Sequence, residues 1–311
     1  MPSFNSSFGE SLRDLWNEGG VYMFEGSMVA LATPFKKNGH VDKKKIKELI
    51  EFHIKKGTDV VVPCGCTGEA ATLTHEEQKE IIQFTVETVA GRIKVIAGTG
   101  SNNTAEALDL TMHAKKVGAD GALLITPYYN KPTPAGQYAH YRTIAQKVKI
   151  PIVLYNVPSR TGISIAPETV AELYKIGNIV AIKEASGSID QVSNILDLCD
   201  ITVLSGDDSL TLPIMSVGGR GVISVVANIV PDLVRDLVHS FLNGDAQRAM
   251  RIHRQLFPLC KAMFYETNPI PVKRAMSLMG MIENNLRLPL VPMSEQNEAR
   301  LKKVLQEFKL I

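Results

Sequence analysis

Pro151-Ile152-Val153-Leu154-Tyr155-Asn156 is apolar and β-branched through its middle, and it does not alternate. The next such run, Ile179-Val180-Ala181-Ile182-Lys183, ends on a lysine. Continuous apolar runs suit parallel strands covered on both faces. Similar runs occur at 28–33, 59–64, 94–98, 121–126, 202–205 and 221–225, which predicts eight strands. The segments between them carry helical spacing. Ile46, Leu49, Ile50 and His53 share one face, with lysines and glutamates opposite. Thr74 with Glu77 forms a capping-box pattern ahead of Ile81 and Ile82. Asn103 or Thr104 starts the next helix, and Pro134, Pro167 and Pro231 fall at the first turns of theirs. Eight βα units make either a closed barrel or a doubly wound sheet. Their evenness, with no break in composition, favours an α/β fold: a (β/α)8 TIM barrel with a C-terminal helical appendage.

The chain divides, on this reading, into an N-terminal extension (1–22), the barrel (23–243) and a C-terminal helical region (244–311), with helices at 245–264, 271–279 and 294–308. The extension is loop-like, with Leu12, Leu15 and Trp16 as a short apolar face. It has no apolar stretch of the secretory kind and more acidic than basic residues, which argues against a transit peptide. With 311 residues, 45% hydrophobic and 21% charged, the chain has the composition of a globular protein with a full core. A formal net charge of +2 supplies no field for nucleic acid or a membrane surface. No apolar run is long enough to span a bilayer. The cysteines Cys64, Cys66, Cys199 and Cys260 form neither a disulfide framework nor a metal pattern, so reduced thiols in a cytoplasmic protein are expected.

In a barrel of this kind, chemistry gathers at the C-terminal ends of the strands. Those ends carry Thr33-Pro34, Gly65-Cys66-Thr67-Gly68-Glu69, Gly98-Thr99-Gly100, Tyr128-Tyr129-Asn130, Tyr155-Asn156, Lys183-Glu184, Asp207-Asp208 and Ser224. Lys183 closes an apolar strand, so desolvation lowers its pKa and leaves neutral amine to attack a carbonyl. The plainer alternative is a lysine paired with a carboxylate or reaching solvent. Tyr155 ends the neighbouring strand and is either an acid–base group or rim packing. Thr67, among glycines, offers a hydroxyl and backbone N–H groups to a carboxylate. Arg160 offers a bidentate fork, unless it is only solvated. The Gly98-Thr99-Gly100 loop lacks the lysine of a phosphate loop. Asp207 and Asp208, without histidines nearby, read as a helix cap rather than a metal site. No metal is expected.

Taken in order, Gly65-Cys66-Thr67-Gly68-Glu69, Tyr128-Tyr129-Asn130, Tyr155 to Gly162 and Ile182-Lys183-Glu184-Ala185 resemble the dihydrodipicolinate synthase family. That family belongs to the N-acetylneuraminate lyase superfamily of class I aldolases. The resemblance runs from about Met23 to the C-terminus and includes Asn268 to Lys273 and Arg287 to Leu290. It implies that Lys183 forms a Schiff base with pyruvate, whose enamine attacks aspartate 4-semialdehyde, with no cofactor. It implies Tyr155 as general acid–base, Thr67 as holder of the pyruvate carboxylate, and backbone carbonyls at Gly206 and Ile223 beside the site. Arg160 would bind the second carboxylate, and Tyr129 would reach the neighbouring subunit of a homotetramer built as a dimer of dimers. The family usually has threonine where this chain has Cys66, in a proton relay between Tyr155 and Tyr129. The positions of a lysine-binding allosteric site correspond to Ala71, His75, Asn102, Glu106 and Tyr128, while Gln78 departs from the histidine of some sensitive enzymes. The alternatives are another pyruvate-dependent aldolase, which would generally lack Arg160, and a non-catalytic barrel that only binds.

Overall fold

The structure is a computed structural model that describes residues 24–311; the predicted extension, 1–22, lies outside the described residues. Eight parallel strands close into a barrel in chain order. They are β1 (Gly26–Ala30), β2 (Val60–Val62), β3 (Lys94–Gly98), β4 (Gly121–Ile125), β5 (Ile152–Asn156), β6 (Ile179–Glu184), β7 (Thr202–Ser205) and β8 (Gly221–Ser224). The helices between and after them are α1 (Lys43–Lys56), α2 (His75–Val89), α3 (Thr104–Lys116), α4 (Pro134–Lys147), α5 (Pro167–Tyr174), α6 (Ile189–Leu198), α7 (Thr211–Ser216) and α8 (Pro231–Leu242). Three more helices follow: α9 (Ala246–Ala262), α10 (Ile270–Leu278) and α11 (Glu295–Glu307).

Local signals placed the helix starts well. Thr74 and Glu77 make both halves of the capping box on α2, and Asn103 caps α3 by accepting from the Ala105 amide. Prolines open α4, α5 and α8, where their missing N–H has no partner to lose. Two strands differ from the reading at 28–33 and 59–64. β1 begins earlier, because Gly26 pairs with Gly221 to close the barrel. It ends earlier because the Asn228 side chain, not a strand, accepts from the Ala32 amide. β2 is shorter, because the Asp59 carboxylate takes the Ser27 amide and Cys64 turns to a left-handed φ of 58°.

The lumen is packed with side chains such as Met28, Val60, Ile96, Leu123, Val153, Leu204 and Ile223. It is therefore a filled core with reactive groups only at its mouth. A second layer lies between the strands and helices. On one side it runs without a break from Val29, Ile46 and Ile82 in the barrel to Leu259, Val272 and Leu301 in the last three helices. The C-terminal region thus shares one core with the barrel. Among the described residues no helix is long and apolar enough to cross a membrane.

Candidate active site

Tyr155 and Lys183 face each other directly across β5 and β6, as do Asn156 and Glu184 one step on. A register shift between Ile152 and Val153 inserts Val180 as an extra residue, and the pairing beyond it depends on that bulge. Side chains paired across parallel strands point to the same face. Tyr155 packs with the lumen residues, so Lys183 beside it belongs to the same inward face. Lys183 Nζ lies 4.2 Å from the centre of the Tyr155 ring. One step outward, Asn156 Nδ2 donates to Glu184 Oε2 at 2.9 Å, and its Oδ1 accepts from the Ile165 amide, which ties down the loop carrying Arg160.

Lys183 is only 5% exposed, and among the described residues no carboxylate lies within ion-pair distance of it. Burial pushes its pKa down to about 8; the Cys66 and Asp208 side chains pull the other way, and Arg160 adds to the lowering. At neutral pH about a tenth of such an amine is unprotonated, against well under a thousandth for an ordinary lysine. Tyr155 moves oppositely. Burial, with the Cys66 thiol beside it, holds the phenol well above its usual value. It therefore keeps its proton at neutral pH. Gly206 makes room for this arrangement, since a β-carbon there would sit 3.0 Å from Lys183 Cε and 2.7 Å from the Ala185 β-carbon. Ile223 is fully buried on β8 opposite Met28.

The loop after β2 brings Cys66 and Thr67 to the same mouth. It is pinned from the segment after β1, where Thr33 Oγ1 donates to the Gly68 carbonyl at 2.7 Å. Thr67 is buried, and its Oγ1 accepts from Asn268 Nδ2 at 3.0 Å. Arg160 sits in a single helical turn, Pro158–Thr161, and its Nη2 donates to the Asn268 carbonyl at 3.0 Å. Asp207 caps the turn at Asp208–Leu210, as a cap reading predicts. Asp208 does something different. Its buried carboxylate accepts from the Val225 and Val226 amides at 2.9 Å each, and burial raises its pKa. Among the described residues no group of three or more His, Cys, Asp or Glu converges in a way that suits a metal.

A cavity of about 500 Å³ opens on Cys66, Tyr155, Arg160 and Asn268 and extends to Ala71, His75, Gln78, Glu106 and Tyr128. Four of the five expected allosteric positions therefore line one space with the site. Asn102 does not line it, and its carbonyl instead accepts from Asn130 Nδ2 at 2.9 Å. Tyr129 is 89% exposed at a left-handed φ of 68° and is also not part of that lining. A larger groove, about 890 Å³, runs among Leu49, Phe52, Leu233 and Met281 and touches none of the predicted site residues. Size alone is thus a poor guide here; the smaller space is lined by Tyr155, Cys66 and Arg160, while Lys183 and Thr67 are not part of that lining. Asn268 and Asp208 are the residues whose part sequence reasoning missed. For Asn268 the available signal was its place in a motif of the resemblance; for Asp208 there was none beyond its strand-end position.

The model of the dihydrodipicolinate synthetase family matches residues 23–308. A protein of Citrifermentans bemidjiense named 4-hydroxy-tetrahydrodipicolinate synthase is 56% identical over 93% of this chain and its own full length. Among solved structures, dihydrodipicolinate synthase from Aquifex aeolicus superposes with a TM-score of 0.91 at 53% identity, over 92% of this chain and 99% of that one. The enzyme from Acinetobacter baumannii, complexed with pyruvate, superposes with a TM-score of 0.90 at 43% identity, over 92% and 99% of the two chains. With the predicted barrel, the lysine at the end of β6 and matches over nearly its whole length, the chain belongs to the dihydrodipicolinate synthetase family.

Proposed function

We propose that the protein catalyses the 4-hydroxy-tetrahydrodipicolinate synthase reaction, the condensation of pyruvate with L-aspartate 4-semialdehyde in lysine and diaminopimelate biosynthesis. The observation that carries this is Lys183: buried, without a carboxylate partner among the described residues, and lowered to a pKa of about 8 beside a protonated tyrosine. The neutral amine attacks the keto carbon of pyruvate, and loss of water gives a cationic imine. That cation withdraws electrons, so a methyl proton leaves and an enamine forms. The enamine carbon bonds to the aldehyde carbon of the second substrate, and its oxygen takes up a proton. The substrate's amino group then displaces Lys183 from the imine carbon, which closes the ring and frees the lysine.

Tyr155 donates and accepts the protons of these steps. Thr67 holds the pyruvate carboxylate, and the carbonyls of Gly206 and Ile223 border the reacting atoms. Arg160 grips the carboxylate of the semialdehyde. Cys66, beside Tyr155, passes protons toward a tyrosine supplied by a second subunit, Tyr129. The exposure of Tyr129 supports that role, and a homotetramer built as a dimer of dimers accommodates it. The part of the cavity lined by Ala71, His75, Glu106 and Tyr128, with Asn102 beside it, binds lysine as a feedback inhibitor.

Borohydride reduction with pyruvate, followed by peptide mass analysis, tests the chemistry. A stable adduct on Lys183 is the expected result, and no adduct leaves only a binding protein. Product formation on adding aspartate semialdehyde separates this reaction from that of a sugar-acid aldolase. A lysine titration of the initial rate tests the allosteric assignment, and a flat curve removes it.

A further inference from the structure

Asn268 precedes α10, outside the eight βα units, yet it touches both groups assigned to substrate carboxylates. Its Nδ2 donates to Thr67 Oγ1, and its backbone carbonyl accepts from Arg160 Nη2, each at 3.0 Å. The residue is 5% exposed, and its Oδ1 is buried without a hydrogen-bond partner among the described residues, so solvent does not compete for this amide. Its position against the Thr67 loop is fixed by a second tie: Lys273 Nζ, in α10, meets Glu69 Oε1 in that loop at 2.5 Å.

The direction of the first bond matters. A hydroxyl has one proton to give and two lone pairs to accept with. When Asn268 donates to Thr67, the threonine oxygen is committed as acceptor there and its proton is free to point elsewhere. A substrate carboxylate can only accept, so it needs that proton. We propose that Asn268 is a positioning residue for the condensation. Its amide turns the Thr67 hydroxyl into a donor for the keto-acid carboxylate, and its carbonyl holds the Arg160 guanidinium at the second carboxylate. One residue of the C-terminal region thereby sets both substrate subsites. This rests on the Schiff-base reading above.

The experiment compares wild type, Asn268→Ala, Asn268→Asp, Thr67→Val and the double variant Thr67→Val/Asn268→Ala by steady-state kinetics and borohydride trapping. Asn268→Ala raises KM for both substrates by roughly threefold to tenfold, with kcat at saturation changed less than KM. Asn268→Asp has nearly the same shape but accepts the Thr67 proton and sets a charge beside a carboxylate subsite. It raises the pyruvate KM more than Asn268→Ala does, by more than about tenfold. In the Thr67→Val background the alanine change adds nothing to the pyruvate KM, while it still raises the semialdehyde KM. If Asn268→Asp does not fold, this cycle decides alone, and an additive increase in the pyruvate KM overturns the proposal. Wild-type KM values in both Asn268 variants overturn it too, while a wild-type pyruvate adduct shows that the Schiff-base reading survives. No adduct in the wild type removes that reading and this one together.

Discussion

The mouth of the barrel and the seam between barrel and C-terminal helices each bury a lysine against an aromatic ring, and they use it in opposite ways. Lys183 lies 4.2 Å from the Tyr155 ring centre, and Lys273 lies 4.3 Å from that of Phe35. Burial lowers the pKa of both. At the seam, Glu69 stands 2.5 Å from Lys273 and works against that lowering, so a desolvated cation has its counter-ion. At the mouth no carboxylate among the described residues lies that close, and the cheaper response to burial is loss of the proton. Lys273 is a staple, and Lys183 is the proposed nucleophile. What separates them is one carboxylate at contact distance.

The largest effect expected from breaking this comparison is at Lys183. Replacement by alanine should lower turnover by at least about a thousandfold and abolish the borohydride adduct, with little change in fold. The rate of adduct formation in the wild type should fall as pH drops below about 8, close to tenfold per unit, because protonation removes the attacking amine. A pH profile that stays flat down to neutrality would mean that the amine is not perturbed as its burial implies.

At the seam the loss should appear in stability instead. Lys273→Met leaves Glu69 buried without its cation, which costs about 3–5 kcal/mol and should show as a lower unfolding midpoint. Removing both charges in Glu69→Gln/Lys273→Met should recover most of it, because the cost lies in the uncompensated charge rather than in the loss of attraction. A single variant as stable as wild type would show that Arg287, whose amide also donates to Glu69 at 3.2 Å, suffices to hold that carboxylate.

The two regions also differ in how much of them the sequence disclosed. Lys183 and Tyr155 were legible because each ends a run of strand residues, and a barrel fixes where strand ends meet. The capping box at Thr74 and the prolines opening α4, α5 and α8 were legible for a simpler reason: the partners lie within one turn. The seam joins residues far apart in the chain. Asn268 and Thr67 are separated by 201 positions, and Lys273 and Glu69 by 204. No local pattern couples such residues, so a buried lysine in α10 and a glutamate beside a glycine each look unremarkable alone. The early end of β1 has the same origin, since the amide of Ala32 is claimed by Asn228 across 196 positions. Tyr129 is legible only as a motif residue, because its proposed partner is a second subunit.

Cys66 sharpens the comparison from the mouth side. Its thiol lies beside Tyr155 and is a weak donor and a weak acceptor. Cys66→Thr should raise kcat by roughly twofold to tenfold if proton passage through this position limits turnover. Unchanged turnover would remove Cys66 from the relay and leave Tyr155 to exchange protons by another route.

The smallest effect comes from a pair that is neither staple nor nucleophile. At the floor of the barrel His239 Nε2 lies 2.8 Å from Asp59 Oδ2, with the two side chains 40% and 32% exposed. The hydrogen bond to Asp59 raises the histidine pKa. Folding therefore favours the protonated ring. Its contribution is complete below the unfolded value, near pH 6.5, and is lost as pH rises through the higher folded value. Solvent screens such a pair, so the gain is under about 1 kcal/mol. Comparing unfolding midpoints of wild type and His239→Gln at about pH 6 and about pH 8 should show a difference at the lower pH that shrinks at the higher. Added salt should shrink it further, and it should leave the Lys273→Met deficit largely intact, because ions reach the floor pair and cannot reach the seam. Equal salt sensitivity at both places would contradict the burial that makes the two lysines behave as they do.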